Sequence, residues 1–314
     1  MGGCFLGVWL AFLLGSPAGA SFAVNGTVEP AGPAVVWLFG ATDSFSISTL
    51  SDAGGRFHFA GILPGVYTLT VITSGLGEWR ETIDIGAAVA DAKGRVDIQV
   101  HLDGAKALDS RREIVSAREL SIPDSARKEY DKAEQRLSKH DVDGAVAHFQ
   151  RATELAPQFV ASWNSLGTIA YHERHYAQAE LYFRKALAAG PNEYEPLVNL
   201  AGVLINLGHF RDAWSYNKLA VSKQPNDALA HAQLGMACFA LGQLDAAESE
   251  LREAIRLDPR HFSNPQLLLA DIYEREHEPS AAADILEQFL KLHPGFPQAA
   301  QILDRIARLR ASNP

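Results

Sequence analysis

Histidines are the residues in this chain most suggestive of chemistry, and His172-Glu173-Arg174-His175 is the densest cluster. Two imidazoles beside a carboxylate could hold a metal-bound water and its base. The zinc-hydrolase spacing is His-Glu-x-x-His, because an i, i+4 pair puts both rings on one helix face. Here the rings are three apart, in a stretch that reads as a turn between two helices. A surface turn is the expectation, and no metal site is predicted. Asp141 to Gly144 likewise reads as a turn, despite its acidic spacing. The sequence contains no His-x-x-Glu or Cys-x-x-Cys pair, no Gly-x-Ser-x-Gly elbow and no phosphate-cradling glycine loop. No catalytic residue, cofactor site or metal site is assigned, and a non-enzymatic protein is expected.

Charge and targeting narrow the class. The net charge of -9 argues against a nucleic-acid partner, which needs a basic face. Phe5 to Leu14 is a short apolar run followed by Ala18-Gly19-Ala20, the pattern of a secretory signal peptide spanning residues 1–20. The run is shorter than the roughly 20 apolar residues of a membrane span, and no later stretch is long and apolar enough. The mature chain is therefore expected to be exported, periplasmic or extracellular, with no transmembrane segment. Cleavage would leave Cys238 as the lone thiol, on the apolar face of a helix where core packing is expected.

A proline returns on a fixed beat at Pro157, Pro191, Pro225, Pro259 and Pro294, with gaps of 34, 34, 34 and 35 residues. An alanine runs twelve residues ahead of each, at Ala145, Ala179, Ala213, Ala247 and Ala282. Four residues after each alanine stand Phe149, Phe183, Asn217, Leu251 and Leu286. This spacing predicts units of two amphipathic helices, neither able to bury its apolar stripe alone. Ala133, Gly167, Ala201, Gly235 and Ala270 let the helices approach. Each proline closes a second helix, having no amide hydrogen to continue it. Arg260-His261-Phe262-Ser263 carries one residue more than its counterparts, read as a longer turn.

The second unit reads Trp163-x2-Leu166-Gly167, then Ala179-x3-Phe183, Ala186 and Pro191. In that pattern the region resembles the tetratricopeptide repeat family. Five repeats are expected over residues 126–295 (about 126–159, 160–193, 194–227, 228–262 and 263–296). The resemblance implies a concave groove lined by the first helix of each unit and holding a peptide or protein segment. Carried over residue by residue, the groove comprises Tyr130, Leu137, Asn164, Thr168, Tyr171, Val198, Ile205, Leu229, Met236, Phe239 and Asp271. Its middle is apolar, with Glu134, Glu195, Asp271 and Glu274 at the rim. An equally open alternative is that Val198, Ile205, Leu229 and Phe239 pack against one another or the connector. After the last repeat, residues 297–314 are expected to form a capping helix, apolar at Ala299, Ile302, Leu303, Ile306 and Leu309, then a disordered tail from Arg310.

Residues 21–102 have a different texture, with β-branched and aromatic residues punctuated by glycine turns. Seven strands are predicted near Phe22–Val28, Ala34–Phe39, Ser44–Thr49, Arg56–Ala60, Val66–Ile72, Arg80–Ile85 and Arg95–Leu102. A small antiparallel sandwich is expected. Asp52-Ala53-Gly54-Gly55 supplies one turn and Pro64-Gly65 another. With Asp52, Gly55, Phe57, Phe59, Gly65 and Tyr67, this region resembles the carboxypeptidase regulatory-like domain, which implies a transthyretin-like sandwich and no peptidase activity. Residues 103–125 form a connector, with Ile114, Val115, Leu120 and Ile122 expected to pack on a neighbouring domain.

The fold class expected is thus an all-β sandwich of about seven strands followed by an all-α solenoid. The pairing of the two families implies a bacterial envelope adaptor with a protein or peptide partner. The alternative is glycan or cell-surface binding through the sandwich, with the repeats as a spacer. Trp37 and Trp79 are then the candidate exposed aromatics, weighed against core burial.

Overall fold

The computed structural model describes residues 21–41, 43, 45–73, 77–102 and 121–312. The expected signal peptide and connector residues 103–120 lie outside them. Seven strands come first: β1 (Phe22–Glu29), β2 (Ala34–Gly40), β3 (Ser46–Leu50), β4 (Arg56–Ile62), β5 (Gly65–Thr73), β6 (Gly77–Ile85) and β7 (Arg95–His101). They form two sheets, ordered β4-β1-β7 and β3-β2-β5-β6. The alternation seen in the sequence sorts their faces. Val24 and Val28 of β1, Phe57 and Phe59 of β4, and Val96 and Val100 of β7 join Val36, Leu38, Leu69 and Val71 of the other sheet in one apolar cluster.

The strand positions follow the expectation, but the antiparallel pairing does not hold throughout. β1 and β7 pair in parallel, with Val24 opposite Val96 and Val28 opposite Val100. A parallel partner needs a long crossover, and here the intervening strands of the second sheet supply it.

Two matching turns lead into the strands flanking β1. Asp52 accepts hydrogen bonds from the amides of Gly54 and Arg56 and from the Arg56 Nε. Asp91 repeats this with the amides of Lys93 and Arg95 and the Arg95 Nε. These bonds hold both carboxylates below the usual aspartate range. Gly55 and Gly94 adopt positive φ, 76° and 71°, which favours glycine. The sequence announces the device twice, as Asp-Ala-x-Gly-Arg; the first copy, whose glycines suggest a hairpin, instead carries the chain from β3 in one sheet to β4 in the other.

Eleven helices follow among the described residues: α1 (Asp124–Leu137), α2 (Val142–Leu155), α3 (Val160–His172), α4 (Tyr176–Ala189), α5 (Tyr194–Asn206), α6 (Phe210–Lys223), α7 (Ala228–Ala240), α8 (Leu244–Leu257), α9 (Pro265–Arg275), α10 (Pro279–Leu292) and α11 (Ala299–Ala311). The first ten make five pairs. Each beat proline stands two residues beyond a second helix. The residue before it is driven out of helical geometry, as at Ala156 (φ -144°, ψ 85°) and Gly190 (φ -140°, ψ 85°). The beat alanines are wholly buried, and so are Phe149, Asn217, Leu251 and Leu286.

His172-Glu173-Arg174-His175 is the turn from α3 to α4, with Arg174 in left-handed geometry (φ 61°). No cluster of metal-ligating side chains occurs among the described residues. Ile122 packs on Ala126 and Ala156, seating the connector's end on the first repeat. The final helix differs from expectation in two places. Leu303 faces solvent while Ile302, Ile306 and Leu309 are buried. Helical geometry runs through Ala311 instead of ending before Arg310, because Arg310 bridges Asp284 and Glu287 of α10.

Candidate functional site

The first helices α1, α3, α5, α7 and α9 carry every residue assigned to the groove. Polar side chains join neighbouring helices in register. The Asn199 amide donates to Asn164 Oδ1 at 3.0 Å, and Asn206 Nδ2 donates to the Tyr171 hydroxyl at 3.1 Å. Thr168 spends its hydroxyl on the Asn164 carbonyl of its own helix. Ile205, Leu229 and Met236 are half-buried beside them.

Other assigned residues are closed over by the chain itself. Leu137, Val198 and Phe239 are buried, at 5%, 4% and 7% exposure. Leu137 joins Ala133, Phe149, Leu166 and Ile169. Val198 packs with Tyr194, Leu197, Ala230 and Leu229. Arg275 caps the Phe239 ring at 4.1 Å. Tyr130 lies between the rings of Phe149 and Phe159, and burial raises its pKa. Asp271 is held, with Glu274, by Arg305 of α11, which turns towards the array. The polar and half-buried members of the groove thus remain near its middle.

A second set of contacts was missed in the sequence. The outer face of the β3-β2-β5-β6 sheet meets the array at two separated places. At the first repeat, the Ser46 hydroxyl donates to Glu134 Oε2 at 3.0 Å, and the Phe45 and His140 rings stack at 4.8 Å. At the far end, Arg80 Nη1 donates to Asp227 Oδ2 at 2.9 Å. The Thr82 hydroxyl donates to Asp258 Oδ2 at 2.6 Å, and Arg260 Nη2 to Asp84 Oδ2 at 2.8 Å.

Burial dominates the electrostatics of both places. It raises the Glu134 carboxyl pKa against the opposing hydrogen bonds from Ser46 and Tyr130. It also raises that of Glu81, assisted by Asp258 and opposed by Arg260, and it lowers the pKa values of His261 and His293. No sequence signal marks these pairs, since Arg260 follows its proline as Gln158, Asn192 and Asn226 follow theirs. Of the two tryptophans weighed for surface binding, Trp79 packs against the sheet core. Trp37 stacks on Phe39 at 5.4 Å, on the sheet face that carries Ser46.

Comparison with known proteins identifies the helical part. Residues 123–194 and 228–261 match models described as tetratricopeptide repeat. The cellulose synthase 2 operon protein C of Komagataeibacter xylinus is 26% identical over 186 residues, covering 53% of this chain and 14% of that protein. The Hsp70-Hsp90 organising protein of Plasmodium falciparum is 29% identical over 98 residues, covering 31% and 39%. Aligned regions span 14% to 42% of the curated relatives' own lengths. Among solved structures, the type IV pilus biogenesis factor PilW superposes with a TM-score of 0.53 at 18% identity, over 60% of this chain and 87% of PilW. The matched residues lie within the five helix pairs: the C-terminal part of the chain is an all-α solenoid carrying tetratricopeptide repeats.

Proposed function

We propose that the chain is a non-enzymatic adaptor of the bacterial envelope, holding a peptide or protein segment against the concave side of its repeats. Protein–protein interaction is the role tetratricopeptide repeats imply. The observation that carries the reading is the half-buried row Asn164, Thr168, Tyr171, Ile205, Leu229 and Met236 on consecutive first helices. Such a row offers side-chain hydrogen bonds beside an adaptable apolar surface. The N-terminal sheets are read as a transthyretin-like sandwich of the carboxypeptidase regulatory-like kind, and residues 1–20 as a cleaved export signal. Sequencing the mature N-terminus tests the latter, with Ser21 expected.

The groove is tested by capture from envelope extract with the wild-type chain and with Ile205→Glu/Met236→Glu. These positions are half-buried, whereas charges at Val198 or Phe239 would enter the core. A protein retained by the wild type and lost by the folded variant supports the groove; equal retention overturns it. The stacked Trp37–Phe39 pair, with Phe39 38% exposed, favours the glycan-binding alternative as a second reading. Binding to a glycan array that disappears in Trp37→Ala would establish it.

A further inference from the structure

We propose that the four-stranded sheet is a releasable strap along the array, tying the first repeat to the turns that close the third and fourth repeats and setting how far the array opens. A single row of paired residues crosses the sheet. Ser46 pairs with Phe39, Phe39 with Thr68, and Thr68 with Thr82. Both ends of this row are bonded to the array, Ser46 to Glu134 of α1 and Thr82 to Asp258 immediately after α8.

Geometry makes the row a chord. Three strand spacings amount to roughly 14 Å. Three steps between successive first helices, from α1 to α7 of the repeat that carries Asp258, amount to roughly 27 Å along the array. The row is therefore a shorter route between its two anchors than the path along the helices.

The attachment is polar and partly wet. Side chains of the Arg260–Asp84 pair keep 39% and 42% of their exposure and Arg80 keeps 38%, whereas Thr82, Asp227 and Asp258 are buried at 5%, 7% and 7%. Interfaces of this composition between domains of one chain exchange readily. When one end lets go, the other keeps it nearby at high effective concentration, so opening is reversible. The strap goes beyond the groove reading and does not need a bound partner.

The test uses the full chain with Cys4→Ser and Cys238→Ala, spin-labelled at cysteines replacing the exposed Gln150 of α2 and Gln288 of α10. Pulsed electron resonance should give one narrow distance distribution for this parent. In Thr82→Val/Arg260→Asp the distribution should move to longer distance and broaden about twofold, with helical circular dichroism retained. The exchanged pair Asp84→Arg/Arg260→Asp should return it towards the parent. Ser46→Ala/His140→Ala releases the other end and should also broaden it, which covers the case where the first variant fails to fold. Unchanged distributions in folded variants released at either end would overturn the strap. Loss of capture by the Ile205→Glu/Met236→Glu variant is a separate result, so either idea can fail alone.

Discussion

Packing inside the array and attachment of the sheets to it rest on different chemistry. Within a repeat, an aromatic or aliphatic side chain covers a small residue at van der Waals range. Phe183 lies so close to Gly167 that a Cβ there would sit 2.5 Å from its ring, and Leu251 does the same to Gly235 at 2.7 Å. Between the sheets and the array the contacts are hydrogen bonds, ion pairs and one ring stack, each made once. Burial recurring in every unit makes the array cooperative, while solitary polar bonds leave the sheets separately releasable.

The largest expected effect breaks the first kind of contact. Gly167→Val places two branches against the buried Phe183 ring, which has no exposed end to swing away. A loss of about 3 kcal/mol is expected in urea unfolding followed by helical circular dichroism. A loss below about 1 kcal/mol would mean that the ring relocates easily and that close approach is not what holds the pair.

A gain should come from the position that departs from the rule. Asn217 occupies the beat filled elsewhere by Phe149, Phe183, Leu251 and Leu286. It is fully buried, and among the described residues neither its Nδ2 nor its Oδ1 has a partner. Asn217→Leu removes two unsatisfied polar atoms and adds apolar contact, for about 1–2 kcal/mol of stability. A neutral or destabilising result would show that the amide has a function in this core that its contacts do not reveal.

These two sites also show what the sequence made legible. Gly167 and Asn217 stand at positions of the 34-residue beat, so their helix, depth and neighbours follow from counting. The seven strands follow from alternation in the same way. The anchors do not recur: Ser46, Arg80 and Thr82 look like ordinary outward-facing strand residues, and Asp227 and Asp258 like ordinary turn residues. Their partners lie 88 to 176 residues away, a distance no local pattern encodes. For the same reason Asp271 could be placed on its helix but not matched with Arg305, and for Val198 the groove and core packing stayed equally open in the sequence, where the structure buries it at 4%.

A smaller effect concerns pH. The same pair of positions in the first and fourth repeats holds an acid and an imidazole in opposite order, as Glu129 with His148 and as His231 with Glu250. His231 is buried, and burial alone would lower its pKa. Its bonds to Glu250 at 2.6 Å and to the Pro225 carbonyl at 3.0 Å outweigh that and raise it. A raised folded-state pKa contributes stability that is complete below the unfolded value and is lost as pH rises through the folded one. Thermal unfolding should therefore show the wild type losing more stability than His231→Gln between pH 6 and pH 9 (bounds about 0.5 below and 2.5 above the ordinary histidine pKa). Parallel profiles for the two proteins would remove His231 as the titrating group.

The smallest effect sharpens the comparison most, because one backbone position can be tested with and without a contact to the sheets. His140, Arg174, Gly208, Gly242 and His277 all close the turn inside a repeat with positive φ, between 58° and 78°. Glycine adopts this geometry freely, whereas a side chain pays for it in steric crowding. Arg174→Gly and His277→Gly should each gain about 0.5–1 kcal/mol, after the greater freedom of glycine in the unfolded chain is offset. His140→Gly relieves the same crowding but removes the ring stacked on Phe45. Unfolding midpoints should rise for the first two variants, while His140→Gly should show no net gain and a looser attachment of the sheets. An equal gain in all three would mean that the Phe45 stack contributes nothing, leaving Ser46 and Glu134 as the whole of the first-repeat anchor.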